Sequence, residues 1–241
     1  MTTEVCHMMV SGVRVDVVRK AIKNLHIGVY PPNGRVRVAA PLAVNDDAVR
    51  LAVVTRLGWI KRQKAKFEEQ TRQSERGYVS GESHYFLGQR YRLRVIEATG
   101  TGRIYIRNGN MMELQIRPGT DQAGRERVML TWYRQQLRER AAPMIATWAE
   151  TMALTPPVWG IKRMKTKWGT CNIEAQRIWL NLELIKKPLH CLEYVVVHEL
   201  THFRERNHTD RFVAVMDKHL PQWRSVRDEL NAAPLTHEIW E

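Results

Sequence analysis

Cysteine is scarce: Cys6, Cys171 and Cys191 are the only three in 241 residues. They are widely spaced and no Cys-x-x-Cys pair occurs, which excludes a disulfide framework and a cysteine-based zinc finger. Such sparse use fits a reducing cytoplasm. No apolar run reaches the length that spans a bilayer, so no transmembrane helix is expected. The opening residues, MTTEVCHMMVSGVRVDVVRK, lack a basic leader followed by an apolar block, and no secretory signal is expected. Repeats and low-complexity segments are also missing. So are a P-loop, a glycine-rich phosphate cradle and a carboxylate cluster suited to magnesium.

Positive charge is in excess. Lysine and arginine number 38 against 25 acids, a formal net charge of +13. This balance suits an anionic partner, namely nucleic acid, nucleotide, acidic protein or anionic lipid, or else a basic soluble surface with no such role. Nucleic acid enters as a partner on charge alone, since no arginine-rich tail or RNA-binding aromatic motif accompanies it. Its best candidate contact is RLGWIKRQKAK, read as a helix with Arg56, Lys61, Arg62, Lys64 and Lys66 outward and Trp59 packed beneath.

The hydrophobic pattern predicts an α+β protein, with a strand-rich region at 1–120 and a largely helical one at 121–241. LHIGVYPPNGRVRVAAP alternates around a Pro-Pro-Asn-Gly turn, which predicts a hairpin. NDDAVRLAVVTRLGWIKRQKAKFEEQ predicts a helix capped by Asn45 or Asp46. YFLGQRYRLRVIE and RIYIRNGNMMELQI return to strand alternation, with Asn108-Gly109 as a second turn. Residues 125–154 are helical in spacing, with Pro143 expected to kink or divide them. MKTKWGTCNIEAQRIWLNLELI predicts two short strands, and a helix is expected from about Leu192 to Arg206. Two further helices flank Pro221.

The chemistry concentrates in YVVVHELTHFRERNHTDRF. Residues four apart share one face of a helix, so His198 and His202 can reach one metal ion. Glu199 is rotated about 100° from His198, where its carboxylate stands beside the ion without binding it. A catalytic zinc site usually takes three protein ligands and leaves a fourth position open. His208 is the natural third, provided the helix ends before it. Asn207 is suited to a left-handed cap, and Thr209 to capping the following helix.

These residues resemble the bacterial YgjP-like metal-dependent hydrolases, relatives of the SprT and WLM zinc metallopeptidases. The matching pieces are Arg163 followed by Trp168-Gly169-Thr170-Cys171, then Ile178-Trp179-Leu180-Asn181, Tyr194-Val195-Val196, His198-Glu199-Leu200-Thr201-His202, Asn207-His208 and Phe212. Threonine stands at 170 where the family usually has serine. Glu205 occupies the position where a metzincin has glycine, and no Met-turn is evident. The resemblance implies a zincin-like part with an HExxH helix, on which the strand-rich part packs. It implies one Zn2+ on His198, His202 and His208, with Glu199 as catalytic glutamate. It also implies a substrate side formed by Gly169 and Thr170, whose strand would pair with an extended peptide. Cys171, Trp168 and Trp179 are expected to pack. Arg163, Lys165 or the Thr170 hydroxyl would support the oxyanion.

The leading expectation is therefore a zinc metallopeptidase, in which Glu199 serves as general base for a metal-activated water. Two alternatives stay open. One is a metal-dependent nucleotide pyrophosphatase acting on nucleoside triphosphates. The other is a DNA-associated protease of SprT type.

Overall fold

Valine alternation builds the first sheet. The computed structural model describes residues 5–30, 34–69, 76–164 and 167–232. Its contacts divide the chain into two units, Met1–Ser74 and Glu75–Leu235. In the first, strands β1 (Val5–Val10), β2 (Val13–Lys20), β3 (His26–Tyr30) and β4 (Arg35–Pro41) form a sheet in the order β1-β2-β4-β3. Val15, Val17, Val36 and Val38 point to one face. Val49, Val53 and Ile60 cover it from helices α1 (Asp46–Thr55) and α2 (Leu57–Glu69).

The predicted hairpin is β3–β4, paired from Tyr30↔Arg35 outward, and its turn residues 31–33 lie outside the described residues. Asn45 caps α1 as expected, accepting from the Ala48 N–H at 2.9 Å. The single helix predicted after it is two. The Arg56 N–H bonds to the Val53 carbonyl at 3.1 Å, a tightened turn that ends α1 without glycine or proline. Trp59 is 37% exposed rather than packed beneath α2, because Ile60 takes the buried position.

Asp16 is the buried carboxylate among the described residues of this unit, held by His7 Nδ1 at 2.6 Å and by Arg35 Nε. Burial alone would raise its pKa. The hydrogen bonds and charges of Arg35 and His7 outweigh burial and hold it below the ordinary value. A depressed carboxylate stabilises the folded state above its unfolded pKa, about 3.9, and that contribution is lost as the pH falls through the folded value. Asp16→Asn is therefore expected to lower the melting temperature by a few degrees at pH 7, with the difference from wild type closing as the pH falls below about 4. Circular dichroism melts across pH check this, and a gap that widens in acid would refute the assignment.

The second unit begins with β5 (Ser83–Phe86), β6 (Gln89–Glu97), β7 (Arg103–Arg107) and β8 (Met111–Ile116), ordered β5-β6-β8-β7. The β7–β8 turn uses left-handed backbone at Gly109 (φ 74°) and Asn110 (φ 59°). Helix α3 (Gln122–Thr151), capped by Asp121, buries Met129, Tyr133, Leu137, Ala141, Ile145 and Ala149. It continues through Pro143 as one helix of 30 residues, so the expected division does not occur. The burial of Leu137, Ala141, Ile145 and Ala149 on either side offsets the hydrogen bond that proline removes.

Strands β9 (Val158–Lys162), β10 (Gly169–Asn172) and β11 (Arg177–Asn181) form a sheet ordered β10-β11-β9, which leaves β10 at an edge. The two predicted strands are β10 and β11, paired antiparallel. A short 3-10 helix (Leu182–Lys186) leads to α4 (Leu189–Thr201), α5 (Asp210–His219) and α6 (Trp223–Ala232). α3 packs on β7, β8, the 3-10 helix and α4, and α4 packs on β10, α5 and α6. Both units mix helix and sheet, so the α+β class stands. Among the described residues no helix is long and apolar enough to cross a membrane.

Candidate metal centre

α4 carries the histidine motif because its other faces are apolar. Leu192, Tyr194, Val195, Val196, Val197 and Leu200 are buried, which fixes the rotation of the helix. His198 and His202 are thereby placed together, with ring centroids 4.9 Å apart. The helix stops at Thr201, several residues before the predicted Arg206. The Phe203 and Arg204 amides bond three residues back, to Leu200 and Thr201, at 3.1 and 2.9 Å. Asn207 is not left-handed; the tightened 3-10-type turn ends the helix instead. Thr209 then caps α5 as predicted, accepting from the Phe212 N–H at 3.4 Å.

This turn brings His208 back to the other two. Its centroid lies 5.0 Å from His198 and 4.9 Å from His202, so the three rings form a nearly equilateral triangle. Phe212, 1% exposed, packs against all three at centroid distances of 5.0, 5.0 and 4.6 Å.

The residues fit a metal ion on two counts. One nitrogen of each ring lies within 4.8 Å of the others. His198 Nε2 and His208 Nε2 are 3.1 Å apart, close to the edge of about 3.3 Å that a tetrahedron with zinc–nitrogen bonds of about 2.0–2.1 Å requires. The second count is tautomeric. His202 Nδ1 donates to the Glu205 carbonyl at 3.2 Å, which leaves the Nε2 lone pair for a ligand. Burial, then His202 and His208, push the His198 pKa down to about 3, so its ring is neutral, as a ligand must be. The ring contacts set the three imidazoles around one space that a single cation can share.

Glu199 is 5% exposed and lies against β10. A side chain at Gly169 would collide with its Oε1, and would sit 2.8 Å from its Cγ and from Val195 Cγ1. Glycine at 169 is thus required by the space that the carboxylate occupies. Burial pushes the Glu199 carboxyl up to about 8, against the opposing charge of Lys167. A divalent cation nearby would pull it back down.

Thr170 follows Gly169 on β10 and lines the same cavity as the histidines and Glu199. Cys171 also lines it, with its thiol pushed up to about 11 by burial and by Glu199. Trp168 packs partly buried against the core. Arg163 lies elsewhere: its Nη1 is 3.6 Å from Glu126 on α3, and it lines neither cavity that meets the histidines. Lys165 falls outside the described residues.

Lys167 is not singled out by the sequence, and Asn181 enters there only as part of a matching motif, without a role. Lys167 lines both cavities beside Glu199. Its position is set by Asn181, which is fully buried. The Asn181 amide donates to the carbonyls of Met164 and Lys167 at 2.8 Å, and its oxygen accepts from the Met164 and Glu183 amides. A buried asparagine ending a strand was the available signal, because such a group has to find partners.

A histidine triad beside a buried carboxylate is the equipment of a metal-dependent hydrolase, and the family match agrees. Residues 23–233 match the family model described as YgjP-like, metallopeptidase domain. The chain belongs to the YgjP-like metallopeptidase family and is a metal-dependent hydrolase. Among solved structures it is similar to the crystal structure of the metallopeptidase zymogen of Pyrococcus abyssi abylysin, at 16% identity and a TM-score of 0.36. That likeness covers 37% of this chain and 90% of the other. No curated protein matches.

Proposed function

We propose that this protein is a zinc metallopeptidase in which His198, His202 and His208 hold one Zn2+ and Glu199 is the general base. The observation that carries this is the convergence of three imidazoles within 4.8 Å of one another, with a buried carboxylate on the adjoining helical position. Zinc held there supplies a Lewis acid that lowers the pKa of water and polarises the scissile carbonyl. Glu199 takes the proton from the attacking water at a carboxylate oxygen and passes it to the leaving nitrogen. Its burial against β10 holds the carboxylate beside the histidines, where a bound cation would keep it ionised and able to take the proton.

β10 serves as the substrate strand. β11 covers one of its edges, the other pairs with no strand among the described residues, and Gly169 and Thr170 line the cavity next to Glu199. An extended peptide would add to the free edge through main-chain hydrogen bonds. The Thr170 hydroxyl and the Lys167 ammonium are the donors placed to support the oxyanion. Arg163, beside Glu126 on α3, is not among these donors.

The test is a side-by-side assay of the zinc-loaded protein on an unfolded protein and on nucleoside triphosphates, with and without DNA. Cleavage of the unfolded protein, abolished by a chelator and restored by zinc, is expected. Triphosphate hydrolysis without peptide cleavage would assign the site to a pyrophosphatase. Cleavage that requires DNA would favour the SprT-type alternative.

A further inference from the structure

Two cavities meet at the histidines and share Lys167, Gly169, His198, Glu199 and His208. They differ in chemistry. The smaller, about 550 Å³, is walled mainly by Tyr194 and Val195 of α4, Phe212 and Val213 of α5, and Trp223 and Leu230 of α6; Arg227 also lines it, with its charge paired to Asp228. Tyr194 and Trp223 stack there with planes 3° apart. The larger, about 870 Å³, runs along β10 and the turn after α4. Its charged lining beyond Glu199 is Lys167, Arg204 and Arg206 against Glu174 alone.

Charge pairing in the larger cavity is sparse. Some arginines elsewhere are neutralised by carboxylates, as Arg35 is by Asp16, Arg19 by Asp46, Arg107 by Glu113 and Arg224 by Asp217, while others, such as Arg117 and Arg134, bond only backbone carbonyls. In the larger cavity Arg204 donates to the Met152 carbonyl, which fixes its guanidinium without neutralising it. Among the described residues, neither Lys167 nor Arg206 forms a salt bridge. A cleft with surplus charge of one sign and low-dielectric walls concentrates ligands of the opposite sign. An arginine not already engaged presents its whole fork of donors to a carboxylate.

We propose that the cleft selects acidic peptides: an aspartate or glutamate lies in the larger cavity, and a bulky apolar side chain lies in the smaller, on opposite sides of the scissile bond. This rests on the peptidase function proposed above. Lys167 stands where the cavities meet, so it faces the substrate backbone at the bond between the two selected residues. Arg206 and Arg204 read the acid, while Trp223, Phe212 and Leu230 receive the apolar group.

Binding is tested apart from turnover. Fluorescent peptides carrying a Glu and a Phe, or with the Glu replaced by Lys or the Phe by Gly, are titrated by anisotropy into the Glu199→Gln protein. Each replacement is expected to weaken binding by about threefold to tenfold at low ionic strength, with the Glu effect shrinking as salt is added. Arg206→Glu should reverse the preference between the Glu and Lys peptides while the metal content stays unchanged. Cleavage-site mapping of a peptide mixture by wild type should then show an acid on one side and Phe, Leu or Met on the other. Equal binding of the Glu and Lys peptides, or a preference untouched by Arg206→Glu, overturns the proposal even if peptides are cut. Acid-selective binding with no peptide cut by wild type would instead refute the peptidase function and leave the charge selectivity standing.

Discussion

Purified His198→Ala, His202→Ala and His208→Ala proteins are each expected to carry a small fraction of the zinc found on wild type, which should hold about one ion per chain. The expectation follows from the triangle of rings. Three nitrogens within 4.8 Å of one another make a complete set for a site with one open position, and two do not. Adding zinc should also raise the melting temperature of wild type but not of the variants. A ligand bound only by the folded state, at about a thousand times its Kd, contributes about 4 kcal/mol. Elemental analysis and thermal melts of the four proteins give the answer. Equal metal content in all of them would remove the centre. His208 is the most exposed of the three, so its variant is the one expected to retain the most metal.

Glu199→Gln should behave in the opposite way: metal retained, turnover reduced by about a hundredfold or more. Glutamine has the size and shape of glutamate, so it fits the same space against Gly169 and Val195. What it lacks is a proton acceptor of adequate basicity. Steady-state kinetics on a cleavable peptide, with zinc content measured on the same sample, separate the roles. Retained turnover would place the base elsewhere. Lost metal would make Glu199 a ligand.

The parts of this centre that are set by local geometry could be read from the sequence, and those set by tertiary packing could not. His198 and His202 meet because a helix repeats every 3.6 residues, and Thr209 caps α5 because a threonine before an apolar-periodic run does so locally. The turn between them follows no such local rule. Asn207 suggested a left-handed cap, whereas the chain tightens into 3-10-type bonds from Thr201 onward. That early stop has a use: a helix continued past Glu205 would spend its carbonyl on a later amide, and here it receives His202 Nδ1. Lys167 gave no periodic signal, since its place depends on Asn181, fourteen residues on. The apolar wall from α6 was hidden for the same reason: Trp223 and Leu230 reach the centre only through the packing of α6 on α4. β9 was missed because it is short and follows two prolines, and its pairing is parallel to a strand fifteen residues away.

The contact between Gly169 and Glu199 bears on motion as well as on space. Its atoms already lie so close that no methyl group fits between strand and carboxylate. Interiors packed to that density shift together or not at all. On the proposed role of β10 as substrate strand, a peptide that presses the strand towards α4 would displace the Glu199 carboxylate with it, and a ligand that fills the cleft without engaging the strand would leave the carboxylate where it is.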